Sequence, residues 1–195
     1  ALFWDGQMYD SERLTLAFAL SAAREGAALA NYAEVVGFEL GADGEIRAAR
    51  VRDTLRGAEF TVRARAFINM TGPWSDITLA RLRGPEADRR VRRSKGIQLI
   101  VRRLPCETAF GVESLRERDK TARIPRGRRS YFATPWRGLT IIGTTDTLFV
   151  GDPDEYGVTA RDIDEFLTAF NEAYPGAALT RADVRFSCGG LRPLG

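Results

Sequence analysis

The sequence predicts a mixed α/β fold with a large antiparallel share. Three features carry that prediction. Two segments have helical spacing of apolar residues, one over 11–24 and one opening at Thr159 or Asp162. Several short apolar runs are separated by glycine turns. Their order along the 195 residues is strands, helix, strands, helix, in a chain long enough for one good core or two small ones.

Residues 2–9 are rich in aromatic side chains and read as a short strand with an Asp5-Gly6 turn inside it. A helix follows, with Leu14, Phe18 and the small Ala17, Ala22 and Ala23 at three-to-four spacing. Asp10 or Ser11 is placed to cap its free amides and Gly26 to stop it. After a short run at Ala28–Tyr32, stretches at Glu34–Leu40, Ile46–Asp53 and Glu59–Arg65 read as hairpin strands. Gly41-Ala42-Asp43-Gly44 and Gly57 punctuate them. Ala66-Phe67-Ile68-Asn69-Met70 reads as a fully buried strand running into Thr71-Gly72-Pro73-Trp74 and a helix over Ser75–Leu82. Further on, Gly96–Arg102 is a strand and 103–128 is irregular. Ser130–Thr134 and Leu139–Thr144 form a hairpin across Pro135-Trp136-Arg137-Gly138. The last helix turns Ile163, Phe166, Leu167 and Phe170 to one face. A strand at Val184–Cys188 then ends in a Gly189-Gly190 turn.

Composition narrows the function. Hydrophobic residues are 44% and charged residues 28%, ordinary values for a globular protein. No apolar run approaches the ~18 residues of a membrane span, and the opening residues are not a signal sequence, which points to cytoplasmic exposure. There is no histidine, and Cys106 and Cys188 stand far apart. A zinc site and the common Ser-His or Cys-His nucleophile pairs are thereby set aside, and the thiols read as buried and spare. Of 29 basic residues only Lys95 and Lys120 are lysine, and the net charge is +3. That is too small and mixed for a nucleic-acid binder. Two basic runs, Arg89-Arg90-Val91-Arg92-Arg93-Ser94-Lys95 and Arg123 through Arg129, read as solvated faces or loops, or else as an electropositive rim for an anionic substrate.

Phe67-Ile68-Asn69-Met70-Thr71-Gly72-Pro73-Trp74 resembles the V-N-A-T-G-P-W segment of flavoproteins in the D-amino-acid oxidase (DAO) superfamily. Ser94-Lys95-Gly96-Ile97, Thr134-Pro135-Trp136, Ile141-Ile142-Gly143-Thr144-Thr145-Asp146 and Gly190-Leu191-Arg192-Pro193-Leu194 follow in order. Together they are similar to the FAD-dependent (aerobic) glycerol-3-phosphate dehydrogenases. Gly151-Asp152-Pro153 and Asp10-Ser11-Glu12-Arg13-Leu14 agree with that family. The resemblance covers nearly the whole chain. It implies a DAO-like substrate domain with a mixed, largely antiparallel sheet plus part of an FAD-binding domain. The division expected is 1–90 mostly FAD-binding, 91–189 substrate-binding, and 190–195 returning to the FAD domain. The family's G-x-G-x-x-G fingerprint is absent from these residues. The chain therefore reads as a segment of a longer protein that does not hold FAD alone.

The resemblance implies oxidation of sn-glycerol 3-phosphate to dihydroxyacetone phosphate by hydride transfer to FAD. It also implies a quinone as electron acceptor and peripheral attachment to the inner face of the cytoplasmic membrane. Arg192 binds the substrate phosphate on this reading, since a guanidinium fork suits a bidentate anion. Lys95 is a second substrate contact or a strand-entry lysine. Thr144 and Thr145 line the cavity or satisfy turn amides, and Asp146 holds their turn or orients a basic group. Thr71, Gly72, Gly190 and Leu191 lie against the cofactor, and Val35 offers main chain to the adenine or is an ordinary strand valine. Trp74 and Trp136 read as packing residues. Gln98 stands where several members of the family have histidine. A carboxamide hydrogen-bonds a hydroxyl but does not take its proton. Two rivals stand beside this reading: an amino-acid oxidase or dehydrogenase of the same superfamily, and a non-catalytic module that binds an anion or partner.

Overall fold

The computed structural model describes residues 2, 4–84, 91–115 and 130–194. Arg89, Arg90 and the run Arg123 through Arg129 lie outside them. Two compact units emerge, the described residues of Ala1–Ile68 with Arg81–Pro85, and those of Asn69–Ala80 with Glu86–Gly195.

The first unit opens with α1 (Ser11–Arg24). Neither expected side chain caps it. Asp10 occupies the cap position without a side-chain capping bond to the helix, and the Ser11 hydroxyl donates to Glu12 instead. Its end is as expected: Gly26 takes positive φ, and the amides of Gly26 and Ala27 close on Ala23 and Ala22. None of its residues is buried. The strands β1 (Ala33–Leu40), β2 (Ile46–Asp53) and β3 (Glu59–Arg63) form an antiparallel meander in that order. The middle strand supplies the buried Ala48, Ala49 and Val51, and Phe38 meets Phe67 edge-on. Asp53 shapes the β2–β3 turn by accepting from the amides of Leu55 and Arg56.

Two expected strands of the first half do not form. Residues 4–8 are without ladder pairing and Trp4 is 96% exposed. The run 66–70 is likewise no buried strand, with Ile68 and Met70 both exposed. Asn69 accounts for that. Its side-chain oxygen accepts from the amide and hydroxyl of Thr71, and its amide donates to the carbonyl of Ser75. These local bonds offer the backbone a turn in place of a ladder. A 3₁₀ turn over Gly72–Trp74 then leads into α2 (Ser75–Arg83).

The second unit is a six-stranded antiparallel sheet built around β4 (Arg92–Val101). The remaining strands are β5 (Phe110–Glu113), β6 (Ser130–Trp136), β7 (Leu139–Gly143), β8 (Thr147–Phe149) and β9 (Val184–Leu194). The order is β5-β6-β7-β4-β8, with β9 also on β4. Along one edge β4 pairs β9 over its whole length; along the other it pairs β7 at 98–101 and β8 at 93–95. Strands β5 and β8 were not expected. The hairpin turn is tighter than expected, because Pro135 and Trp136 stay in β6 and only Arg137 and Gly138, both with positive φ, make the corner. Arg137 folds over the Trp136 ring at 4.8 Å.

The chief correction concerns β9, which runs straight through the predicted Gly189-Gly190 turn. Neither glycine has positive φ. Gly189 sits opposite Ile97, and a Cβ there would collide with the Tyr156 hydroxyl and lie 2.6 Å from the Gly96 carbonyl oxygen. The glycine permits close contact instead of a bend. Pro193 is tolerated because, among the described residues, β9 pairs with β4 alone and its other edge carries no ladder.

One face of this sheet is covered by α3 (Ala160–Ala173), whose N-terminus carries a full capping box between Thr159 and Asp162. Phe166 and Phe170 pack on Tyr131, Ile97, Leu99 and Ile142, the core that the spacing of apolar residues in this helix predicts. Phe170 is fully buried, whereas Phe18 of α1 is 70% exposed. Phe170→Ala is therefore expected to cost about 3–5 kcal/mol in urea unfolding, and Phe18→Ser less than about 0.5 kcal/mol. Equal effects would contradict this core.

Candidate functional site

Side chains of a strand alternate between faces. On β4, Ile97, Leu99 and Val101 join the core under α3, so Ser94, Gly96 and Gln98 look out on the opposite face. Their β9 partners there are Arg192, Gly190 and Cys188. This face carries the candidate site.

The site centres on a gap in the sheet. β7 leaves β4 at Gly143, opposite Gln98, and β8 joins it at Thr147, opposite Lys95. In between, Thr144, Thr145 and Asp146 pass Gly96 and Ile97 without ladder pairing. Thr145 closes the gap on itself. Its amide donates to the Ile97 carbonyl at 3.2 Å, and its hydroxyl accepts from the Ile97 amide at 3.0 Å.

Arg192 reaches across this gap from β9. Its Nη2 donates to Thr144 Oγ1 at 2.8 Å and its Nη1 to the Thr145 carbonyl at 3.2 Å. Ser94 Oγ lies 3.5 Å from Nη1 and donates to Asp146, whose carboxylate is 4.0 Å from the guanidinium. The fork lies flat over Gly96, where a Cβ would come within 2.5 Å of Cζ and 2.6 Å of Nη1. Only glycine leaves that room. The side chain is 42% exposed, and none of these bonds uses Nε.

Gln98 extends the same face. Its Cγ occupies the space a side chain at Gly143 would need, and its Oε1 lies 3.9 Å from Cys188 Sγ. Phe132, opposite Gly143 on β6, is half exposed beside it. Gly190 is open, since a Cβ there meets nothing within 4 Å.

The expected site residues thus divide. Arg192, Thr144, Thr145, Asp146, Gln98 and Gly190 come together. Leu191 pairs with Lys95 and points to the other face. Lys95 is also on that face, the α3 side, and not beside Arg192. Its Nζ donates to Asp162 Oδ2 at 2.6 Å and stands over the Tyr156 ring at 5.6 Å. Tyr156 in turn donates to the Gly96 carbonyl at 3.4 Å, from behind the strand that carries Arg192 in front. Burial pushes the Tyr156 phenol above its usual range, Asp162 and Cys188 add to that, and Arg192 opposes it. Val35 belongs to the first unit, where Arg81 donates to its carbonyl and pairs with Glu34.

Thr71 and Gly72 sit in the turn held by Asn69. Gly72 has φ +54, and a Cβ there meets nothing within 4 Å. Trp74, expected to pack, is 38% exposed and donates its indole N–H to Asp154 at 2.8 Å. Both cysteines are half-buried thiols outside any disulfide, not fully buried, and burial pushes the Cys106 thiol up against the opposing charge of Arg103. The solvated-face reading fails at Arg93 and Ser94, which are buried, and sequence reasoning singled out neither. The period-two pattern from Arg93 to Val101 is the signal that would have found Arg93; Ser94 has the opposite parity and is buried by its partners across the gap. Among the described residues no cluster of His, Cys, Asp and Glu is placed to hold a metal, and no helix is long and apolar enough to cross a membrane.

The family model described as FAD dependent oxidoreductase (DAO) matches residues 1–195. A glycerol-3-phosphate dehydrogenase of Synechocystis is 38% identical over 202 residues, covering 100% of this chain and 35% of its own length. An alpha-glycerophosphate oxidase of Enterococcus casseliflavus is 36% identical, covering 93% of this chain and 29% of itself. The solved glycerol-3-phosphate dehydrogenase of Bacillus halodurans, complexed with FAD, superposes with a TM-score of 0.79 at 33% identity, over 93% of this chain and 35% of that one. The chain therefore spans about a third of the length of these relatives.

Burial raises the Asp162 carboxyl, but hydrogen bonds from Lys95 and Thr159 outweigh it and hold its pKa below the usual carboxylate value. Stability from a depressed carboxyl is present above the unfolded pKa and is lost as pH falls through the folded one. The wild-type chain should thus lose this contribution below about pH 4. Lys95→Gln should remove about 1.5–3 kcal/mol at pH 7 and flatten the acid fall. An unchanged acid limb in urea unfolding would place the Lys95 ammonium elsewhere.

Proposed function

The chain belongs to the FAD dependent oxidoreductase family, and from that premise we propose that its protein oxidises sn-glycerol 3-phosphate to dihydroxyacetone phosphate. The observation that carries the proposal is Arg192, its fork held flat over Gly96 and its side chain still 42% exposed. A phosphate dianion supplies the oxygens that a guanidinium binds.

The residues present fit FAD. Gly72 and Gly190 leave backbone open to a ligand, since a Cβ at either meets nothing within 4 Å. Such bare backbone suits a planar ring system. Thr71, Gly72 and Gly190 are the proposed cofactor contacts of the second unit, and Val35 that of the first. The proposed domain division follows, with residues 1–90 mostly in the FAD-binding domain and 91–189 in the substrate domain. When bound, FAD supplies the two-electron acceptor.

The protein's own residues bind and orient. Arg192 holds the phosphate, and Thr144 and the Thr145 carbonyl keep its fork in plane. Asp146, steadied by Ser94, keeps a carboxylate beside the guanidinium. Gln98 hydrogen-bonds the substrate hydroxyl without taking its proton. Lys95 and Tyr156 support β4 from behind. Onward electron transfer is proposed to a membrane quinone, with the protein attached peripherally at the inner face of the cytoplasmic membrane.

The test uses the full-length holoprotein, with a soluble quinone and oxygen as alternative acceptors. sn-Glycerol 3-phosphate is expected to bleach the flavin, and a panel of amino acids is expected not to. Arg192→Ala should raise KM at least about tenfold, the scale of one lost charged hydrogen bond. Bleaching by an amino acid alone, or an unchanged KM, would sink the assignment.

A further inference from the structure

Arg93 is one residue of a basic run, yet its side chain is only 9% exposed. All three of its nitrogen groups are engaged. Nε donates to the Pro73 carbonyl at 2.7 Å, Nη1 to the Val91 carbonyl at 3.1 Å, and Nη2 to Asp76 Oδ1 at 2.5 Å. Asp76 is 4% exposed, and its Oδ1 also accepts from the Ile77 amide at 2.9 Å. Its Oδ2 is buried without a hydrogen-bond partner. The pair thus fastens the start of β4 to the Gly72–Trp74 turn and to the first turn of α2.

An ion pair this deep is a poor device for stability alone, because desolvating both charges offsets much of their attraction. The unsatisfied Asp76 oxygen adds to that cost. What the arrangement provides is direction. A planar guanidinium grips three acceptors at fixed angles, which an ammonium on a flexible stem does not reproduce. Its Nε bond falls on the carbonyl of the residue after Gly72, the glycine with φ +54 and open space above it. Asn69 holds the same turn from its upstream side, and Asp154 tethers it through Trp74.

We infer that Arg93, with Asp76, is a positioning residue for the cofactor: it sets the Thr71-Gly72 backbone at the height and angle from which that backbone meets FAD. The inference rests on the reading of Thr71 and Gly72 as FAD contacts.

The test measures FAD dissociation from the full-length holoprotein by recovery of flavin fluorescence, together with the unfolding temperature of the apoprotein. Arg93→Lys should weaken FAD binding about tenfold or more, the scale on which residues that orient direct ligands act. The double variant Arg93→Met with Asp76→Leu removes both charges and keeps an apolar contact. It should keep an apoprotein unfolding temperature near the wild-type value and still lose FAD affinity, because nothing then grips Pro73. Gly72→Ala tests the underlying reading, and should weaken FAD whatever stands at 93. If Gly72→Ala loses FAD while the folded double variant binds it as tightly as wild type, the positioning role is overturned. If neither changes affinity, the turn does not meet the cofactor and both readings fall.

Discussion

The antiparallel ladder between β4 and β9, running from Arg92 opposite Leu194 to Val101 opposite Val184, is the constraint on which the second unit depends. It is possible only because two glycines let opposite faces close in. Behind the pair, Gly189 leaves room for the Tyr156 hydroxyl and the Gly96 carbonyl; in front, Gly96 leaves room for the guanidinium of Arg192. A side chain at either place would push the strands off register or the arginine off the sheet. With both in place, β4 has one edge fully paired. Its other edge is shared between β7 and β8, and the ladder gap at Thr144–Asp146 falls between them.

Charge follows the same geometry. Front and back of β4 carry cations with different tasks. Lys95 is matched by Asp162, inside a capping box that starts α3. Arg93 is buried against Asp76 and main-chain carbonyls. Arg192 alone of the three is substantially exposed, and its carboxylate neighbour Asp146 stands 4.0 Å away and is itself held by Ser94. Within the basic run Arg89–Lys95, Lys95 and Arg93 thus turn inward to carboxylates instead of forming one electropositive rim. Arginine at 93 and 192 suits planar multidentate bonding.

Much of this was legible in the residues. The amphipathic spacing of Phe166 and Phe170, the Thr159–Asp162 cap and the glycine-punctuated hairpins are local signals, and local physics decides them. The gathering of Arg192, Thr144 and Thr145 followed the resemblance, although only the register shows that Gly96 makes it possible. What failed needed knowledge of partners. Residues 66–70 are apolar enough for a buried strand, but the side chain of Asn69 claims the backbone first. Gly189-Gly190 resembles a turn in composition, and only its neighbour across the ladder shows why glycine is there. The face that Lys95 takes could not be read either, because strand parity is unknown until the register is fixed, and a shift of one residue reverses every side chain.

The central claim is that a glycine gap at position 96 seats the arginine that binds the substrate's anionic group. Steady-state kinetics of the full-length Gly96→Ala protein test it most directly, because the added methyl enters the space of the Arg192 guanidinium and acts on the proposed substrate through that side chain. The account predicts a rise in KM for sn-glycerol 3-phosphate of about tenfold or more, with FAD content unchanged. A Gly96→Ala protein with wild-type KM would show that Arg192 does not bind substrate from this seat.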